Sequence, residues 1–74
     1  MFEQYKNING NSNIESFMIG EDFISVKFNG SSKVYVYSYT SAGKIHVENM
    51  KVLARKGSGL NSYINTNCRM LYVK

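Results

Sequence analysis

Tyr35, Tyr37 and Tyr39 alternate along one short stretch of the chain, so in an extended backbone their rings share one side. Such a row either stacks planar guests or packs against protein. Downstream, Arg55-Lys56-Gly57-Ser58-Gly59 sets two cations before a glycine-rich turn. If a helix starts after that turn, its free N–H groups and the Ser58 hydroxyl would cradle a phosphate. The G-x-x-x-x-G-K-[ST] spacing of a P-loop is absent, and an ordinary helix stop is the competing reading. Asn61, Asn65, Asn67 and Arg69 follow closely. Side-chain amides offer donors and acceptors to base edges, and a guanidinium forks onto phosphate. The competing roles are loop and cap chemistry for the asparagines, and an internal ion pair to Glu15 or Asp22 for Arg69.

The chain is poor in groups that react. His46 is its one histidine and Cys68 its one cysteine. A nucleophile needs a positioned base, and Glu21-Asp22 reads as a solvated turn pair. Two soft ligands fall short of the four that a structural zinc site takes. Cys68 reads as a small buried apolar residue. The expectation is a binding protein without catalytic residues, metal or cofactor.

These candidates must be placed by a small number of elements. Phe2 to Lys6 reads as one helical turn or an arm, and Asn7 to Asn13 as loop. Three strand-like runs follow: Ile14–Ile19, Phe23–Phe28 and Lys33–Tyr39, the last two joined by Asn29-Gly30-Ser31-Ser32, a hairpin signal. The period then changes. Val47, Met50, Leu53 and Ala54 recur at helical spacing, with Glu48 in the expected first turn and Arg55 and Lys56 in the last. Gly57 suits a left-handed C-cap. Ser58 or Gly59 would open a shorter helix with Leu60, Tyr63 and Ile64 on one face, and Met70 to Val73 would return as a last strand. The order β-β-β-α-α, with or without a terminal β, predicts an α+β domain: a small antiparallel sheet of three to four strands with helices on one face. Residues 1–11 form the arm, and 12–74 the single domain.

The hairpin register decides where the tyrosines go. A four-residue loop puts Val26 opposite Tyr35, and the tyrosines join the Ile24-Val26-Phe28 core face. A three-residue loop puts Val26 opposite Val36, and the tyrosines lie on the other face beside Phe23, Ser25 and Lys27. One residue of slip flips the whole set. The second register is favoured, because it gathers Ile24, Val26, Phe28, Val34 and Val36 on one apolar face.

At 74 residues the chain holds one thin core, and domains of this size commonly need a staple or a partner. One cysteine permits no internal disulfide, so a homo-oligomer is expected. No apolar run approaches the ~20 residues that span a bilayer, and no signal peptide is evident. With a lone thiol, this points to a cytoplasmic setting and no membrane partner. The net charge of +4 is uneven. Residues 1–43 hold Lys6, Lys27 and Lys33 against Glu3, Glu15, Glu21 and Asp22. Residues 44–74 hold Lys44, Lys51, Arg55, Lys56, Arg69 and Lys74 against Glu48 alone. That asymmetry suits an anionic partner, or simply a solubilising surface. Asparagine is frequent and proline absent, a bias that suggests an AT-rich genome such as that of a low-GC bacterium or its phage.

From Ser12 to Tyr72 the chain resembles the KTSC domain, found at the C-terminus of some lysyl-tRNA synthetases and as small stand-alone proteins. The resemblance is carried by Ser12-Asn13-Ile14, by Ile24-Ser25-Val26-Lys27-Phe28 with Asn29-Gly30, by Tyr35-Val36-Tyr37, by Tyr63-Ile64-Asn65 and by Cys68-Arg69-Met70-Leu71-Tyr72. The chain departs from the family's pattern in a longer hairpin, in Asn61 and Cys68 where the family has Gly and Ile, and in lacking its Pro before the helix. The resemblance implies RNA binding and no catalytic residues.

Three functions follow as expectations. The first is oligomeric, non-catalytic capture of a nucleotide or cyclic oligonucleotide, as in a phage sponge that sequesters cyclic-nucleotide immune signals in the host cytoplasm. Its ligand-binding residues would be Tyr35, Tyr37, Tyr39, Arg55, Lys56, Ser58, Asn61, Asn65 and Arg69. The second is RNA binding, and the third a protein-interaction module using the tyrosine face.

Overall fold

The computed structural model describes residues 2–8, 10 and 12–73; Asn9 and Asn11 of the expected loop, and the cation Lys74, lie outside them. The chain is an α+β domain. Strands β1 (Glu3–Gln4), β2 (Ile14–Ile19), β3 (Phe23–Phe28) and β4 (Val34–Ser38) form one antiparallel meander in the order β1-β2-β3-β4. A short α1 (Tyr39–Ala42) leads into α2 (Lys44–Lys56), then α3 (Leu60–Tyr63) and a π-helical segment, Ile64–Cys68.

The N-terminal stretch is neither a helical turn nor a free arm. Glu3–Gln4 extends the sheet, and Tyr5 is buried in the core. The hydroxyl of Tyr5 accepts the Leu60 backbone N–H at 3.3 Å, so the arm caps a helix start 55 residues away. Ile8 N–H donates to the Gly57 carbonyl at 2.8 Å.

β2 reaches its partner through a bulge. Ile14 lies opposite Phe28 but Ser16 opposite Lys27, so Glu15 is the extra residue. The bulge lets Ile14 and Phe17, an odd number apart, both point into the core while Glu15 faces solvent and pairs with Lys27 at 3.5 Å. In the β3–β4 hairpin Ile24 faces Tyr37, Val26 faces Tyr35 and Lys27 faces Val34. This is the longer-loop register, and it overturns the favoured one: Tyr35 and Tyr37 share the core face with Ile24, Val26 and Phe28. Gly30 takes a left-handed φ of 76° in the turn, and Ser31 N–H closes it on the Phe28 carbonyl. Val34 is left exposed on the opposite face.

Helix α2 lies across the core face, burying Val47, Met50 and Ala54, and ends at Gly57 in the left-handed region, as its sequence predicts. Glu48 is not in the first turn, since the helix begins at Lys44. Its carboxylate instead accepts from Lys51 Nζ at 2.8 Å and from the Tyr39 hydroxyl. Lys51 is buried, with its ammonium also donating to the Glu21 carbonyl and lying over the Tyr39 ring, so its charge is fully engaged. Leu60, Ile64 and Cys68 close the core at the other end, and Cys68 is the expected small apolar filler. Residues 70–73 form no strand, although Val73 N–H donates to the Val36 carbonyl at 2.6 Å and holds this tail along β4. Among the described residues, no helix is long and apolar enough to cross a membrane.

Candidate functional site

A pocket of about 330 Å³ opens between the β3–β4 hairpin and the last helical turn. Three parts of the chain build it. The sheet contributes Phe28, Tyr35 and Tyr37, which line up because the hairpin register puts all three on the core face near its open end. The loops at that end contribute Asn13, Asn29 and Ser31, the first two tied together where Asn29 N–H donates to the Asn13 carbonyl at 2.8 Å. The C-terminal segment contributes Ile64, Asn65, Arg69, Met70 and Tyr72.

The π-helical turn sets this last group. Ile64 and Cys68 point into the core, and Asn65 and Arg69, each one residue further along, line the pocket. Such widened turns are rare and recur at functional sites, because they rotate neighbouring side chains off the α-helical stripe.

The walls are aromatic. Tyr72 meets Tyr35 edge to face at 4.9 Å between ring centroids and Tyr37 at 6.3 Å, and Phe28 stands 5.5 Å from Tyr35. Lys33 holds its ammonium 5.3 Å from the Tyr35 ring centroid. The polar groups are amides, hydroxyls and one guanidinium, with no lining carboxylate. Arg69 is exposed and makes no ion pair among the described residues: the competing acid Glu15 is taken by Lys27, and neither Glu15 nor Asp22 reaches it. Tyr37 is only 2% exposed, yet among the described residues its hydroxyl has no hydrogen-bond partner. No buried polar side-chain atom of the described residues is both sealed and unpaired, so this hydroxyl keeps some open surface, on a residue that lines the pocket. Burial, with Cys68, Tyr35 and Tyr72 alongside, pushes the phenol up to about 12, and at neutral pH it keeps its proton.

Of the residues that the sequence nominates, the structure brings four together here: Tyr35, Tyr37, Asn65 and Arg69. The other five lie outside. Tyr39 begins α1, where its hydroxyl bonds to Glu48 and its ring sits under Lys44 and Lys51; the Glu48 carboxylate, by accepting that bond, pushes the phenol up to about 12. Arg55 and Lys56 are exposed at the end of α2. Ser58 and Asn61 are half-buried and do not line the pocket. The turn expected to cradle a phosphate runs from Gly57 to the start of α3 at Leu60. Its leading N–H, that of Leu60, is occupied by the Tyr5 hydroxyl, and the Gly57 turn is covered by Lys6 and Ile8. Asn67 keeps to local chemistry, donating to the Tyr63 carbonyl.

The lining residues that residue type did not nominate include Asn13, Asn29, Phe28 and Tyr72. The two asparagines read as turn formers, and Tyr72 as part of a strand. The signal that held them was the motif pattern, since all four fall in the segments that carry the KTSC resemblance.

Apart from the pocket, His46 Nδ1 lies 2.8 Å from the Tyr63 hydroxyl, which also accepts from the Asn49 amide, a surface cluster between α2 and α3. Among the described residues, no group of three His, Cys, Asp or Glu is placed to hold a metal. No protein-family model, curated protein or solved structure matches the chain.

Proposed function

We propose that this chain is a KTSC-like, non-catalytic binding module for a nucleotide, working in the cytoplasm. The observation that carries the reading is an exposed arginine, without an ion pair among the described residues, on an aromatic pocket whose described lining holds no carboxylate. Tyr35, Tyr72 and Phe28 offer ring surface to a base, and the Asn13, Asn29 and Asn65 amides offer donors and acceptors. Arg69 supplies a fork for phosphate, and Lys33 a second cation near the rim. Every lining residue except Ser31 falls within the five motif segments on which the resemblance rests.

Size then constrains the ligand. A volume of about 330 Å³ stands at the lower end of the ~300–1,000 Å³ of small-molecule pockets, room for one nucleotide unit. A cyclic di- or trinucleotide would therefore span pockets from two or three copies. This is the form in which the chain would serve as an oligomeric sponge for cyclic-nucleotide signals, in phage or elsewhere. In the protein-interaction alternative, which uses the tyrosine face, Tyr37 would contribute from within the protomer, where it is buried.

Native mass spectrometry of protein purified from cells, followed by calorimetric titration with mono-, cyclic di- and cyclic trinucleotides, tests the proposal. Retained or titrated nucleotide at one unit per protomer is the expected result. No uptake of any nucleotide removes the proposal. Binding confined to RNA strands, with affinity falling steeply with salt, moves the chain to the RNA-binding alternative.

A further inference from the structure

Among the described residues that line the pocket, Tyr37 is the one polar side chain that is buried as a whole, and its hydroxyl keeps a little open surface and makes no hydrogen bond to them. A ligand that fills the pocket shuts this hydroxyl off from water, and leaving it without a hydrogen bond is then costly, so it favours a ligand atom that accepts from it. The floor and the mouth differ in chemistry. Tyr37 is 2% exposed and neutral; Arg69 and Asn65 are exposed, and Arg69 is charged. A phosphate at the floor would lose its hydration against one neutral hydroxyl and several aromatic edges. A base at the floor meets ring surface and a hydrogen bond, and leaves the phosphate at the guanidinium.

We infer that the ligand enters base-first, and that Tyr37 is a specificity-determining residue whose hydroxyl donates to an acceptor, a ring nitrogen or carbonyl oxygen, on the edge of the base. The inference rests on the nucleotide reading above and deepens it: the site selects an aromatic phosphate whose ring carries a polar edge over one whose ring does not. Sites built to hydrogen-bond a ligand group discriminate strongly against analogues that lack it, because the site's own buried group is then left unpaired.

The test compares AMP, GMP, CMP and UMP with phenyl phosphate, a ring and phosphate with no polar edge, by calorimetry on the wild-type chain and on Tyr37→Phe. On the wild type, the best nucleotide should bind at least about tenfold tighter than phenyl phosphate. In Tyr37→Phe the nucleotide should weaken about 5- to 150-fold while phenyl phosphate is unchanged. Equal binding of phenyl phosphate and nucleotides by the wild type overturns the inference and leaves an aromatic-anion pocket. Unchanged nucleotide affinity in Tyr37→Phe overturns it also. If the wild type binds no nucleotide at all, the nucleotide reading falls with it. The ligand-side comparison stands on the wild-type protein alone, so it decides the matter even where the variant does not fold.

Discussion

Replacing Tyr5 by Phe removes one oxygen from the core and nothing else, which makes it a clean probe of how the N-terminal strand is held. The ring is buried, 3% exposed, and stays so in the variant. What disappears is the acceptor for the Leu60 N–H. That N–H is the first of α3 and has no carbonyl a turn earlier to bond, and Leu60 itself is fully buried. Leaving a buried donor unpaired costs ~1–3 kcal/mol. The bond is 3.3 Å, longer than the ~2.9–3.0 Å optimum, so the lower end applies, about 1 kcal/mol. For a domain of this size that lowers the melting temperature by roughly 4–8 °C. Urea unfolding followed by circular dichroism, with thermal melts alongside, reads both quantities. A midpoint equal to wild type would refute the reasoning, showing that the Leu60 N–H finds water or another acceptor and that the arm is not a cap.

Gly57→Ala should cost more than the ~1 kcal/mol of a left-handed alanine, because its new Cβ would sit 2.7 Å from the Lys6 Cβ; faster hydrogen exchange at the Ile8 amide, which bonds to the Gly57 carbonyl, would report the displaced arm. Stability should also depend on pH at both ends of the range. Tyr37 sits at about 12 in the folded chain against ~10 unfolded, so the stability tied to its neutral form is whole below pH 10 and is lost as the pH rises towards 12, seen as a falling urea midpoint. Glu48 is held below the usual carboxylate range by the hydrogen bonds from Lys51 and Tyr39, so its contribution is present above ~4.3 and is lost as the pH falls through its folded value; Glu48→Gln should flatten that acid limb.

The strands β2 and β3, helix α2 and its Gly57 cap were legible because each is written locally, in alternation, in helical spacing and in a glycine where φ must be positive. The hairpin register was not. Both loops are compatible with Asn29-Gly30-Ser31-Ser32, and the choice depends on whether Tyr35 and Tyr37 or Val34 and Val36 fill the space beneath α2, which is a packing question. The role of Tyr5 was hidden for a related reason: its partner, Leu60, lies 55 residues away. Within the site, Arg69 stood out as a cation between polar and apolar runs, whereas Arg55 and Lys56 carried the same charge into open solvent. Charge and residue type nominate candidates, and only the fold decides which of them converge. At the glycine-rich turn the Leu60 donor is already taken by the Tyr5 hydroxyl, a contact that local sequence does not show.

The most direct test of the central claim is calorimetric titration of the wild-type chain and Arg69→Ala with a nucleotide and with the matching nucleoside. Arg69 is exposed and makes no ion pair among the described residues, so its loss should leave the melting temperature unchanged. The wild type should bind the nucleotide about tenfold or more tighter than the nucleoside, and Arg69→Ala should erase that difference while keeping the nucleoside affinity. Equal binding of nucleotide and nucleoside by the wild type, or an unaltered preference in Arg69→Ala, would contradict the account.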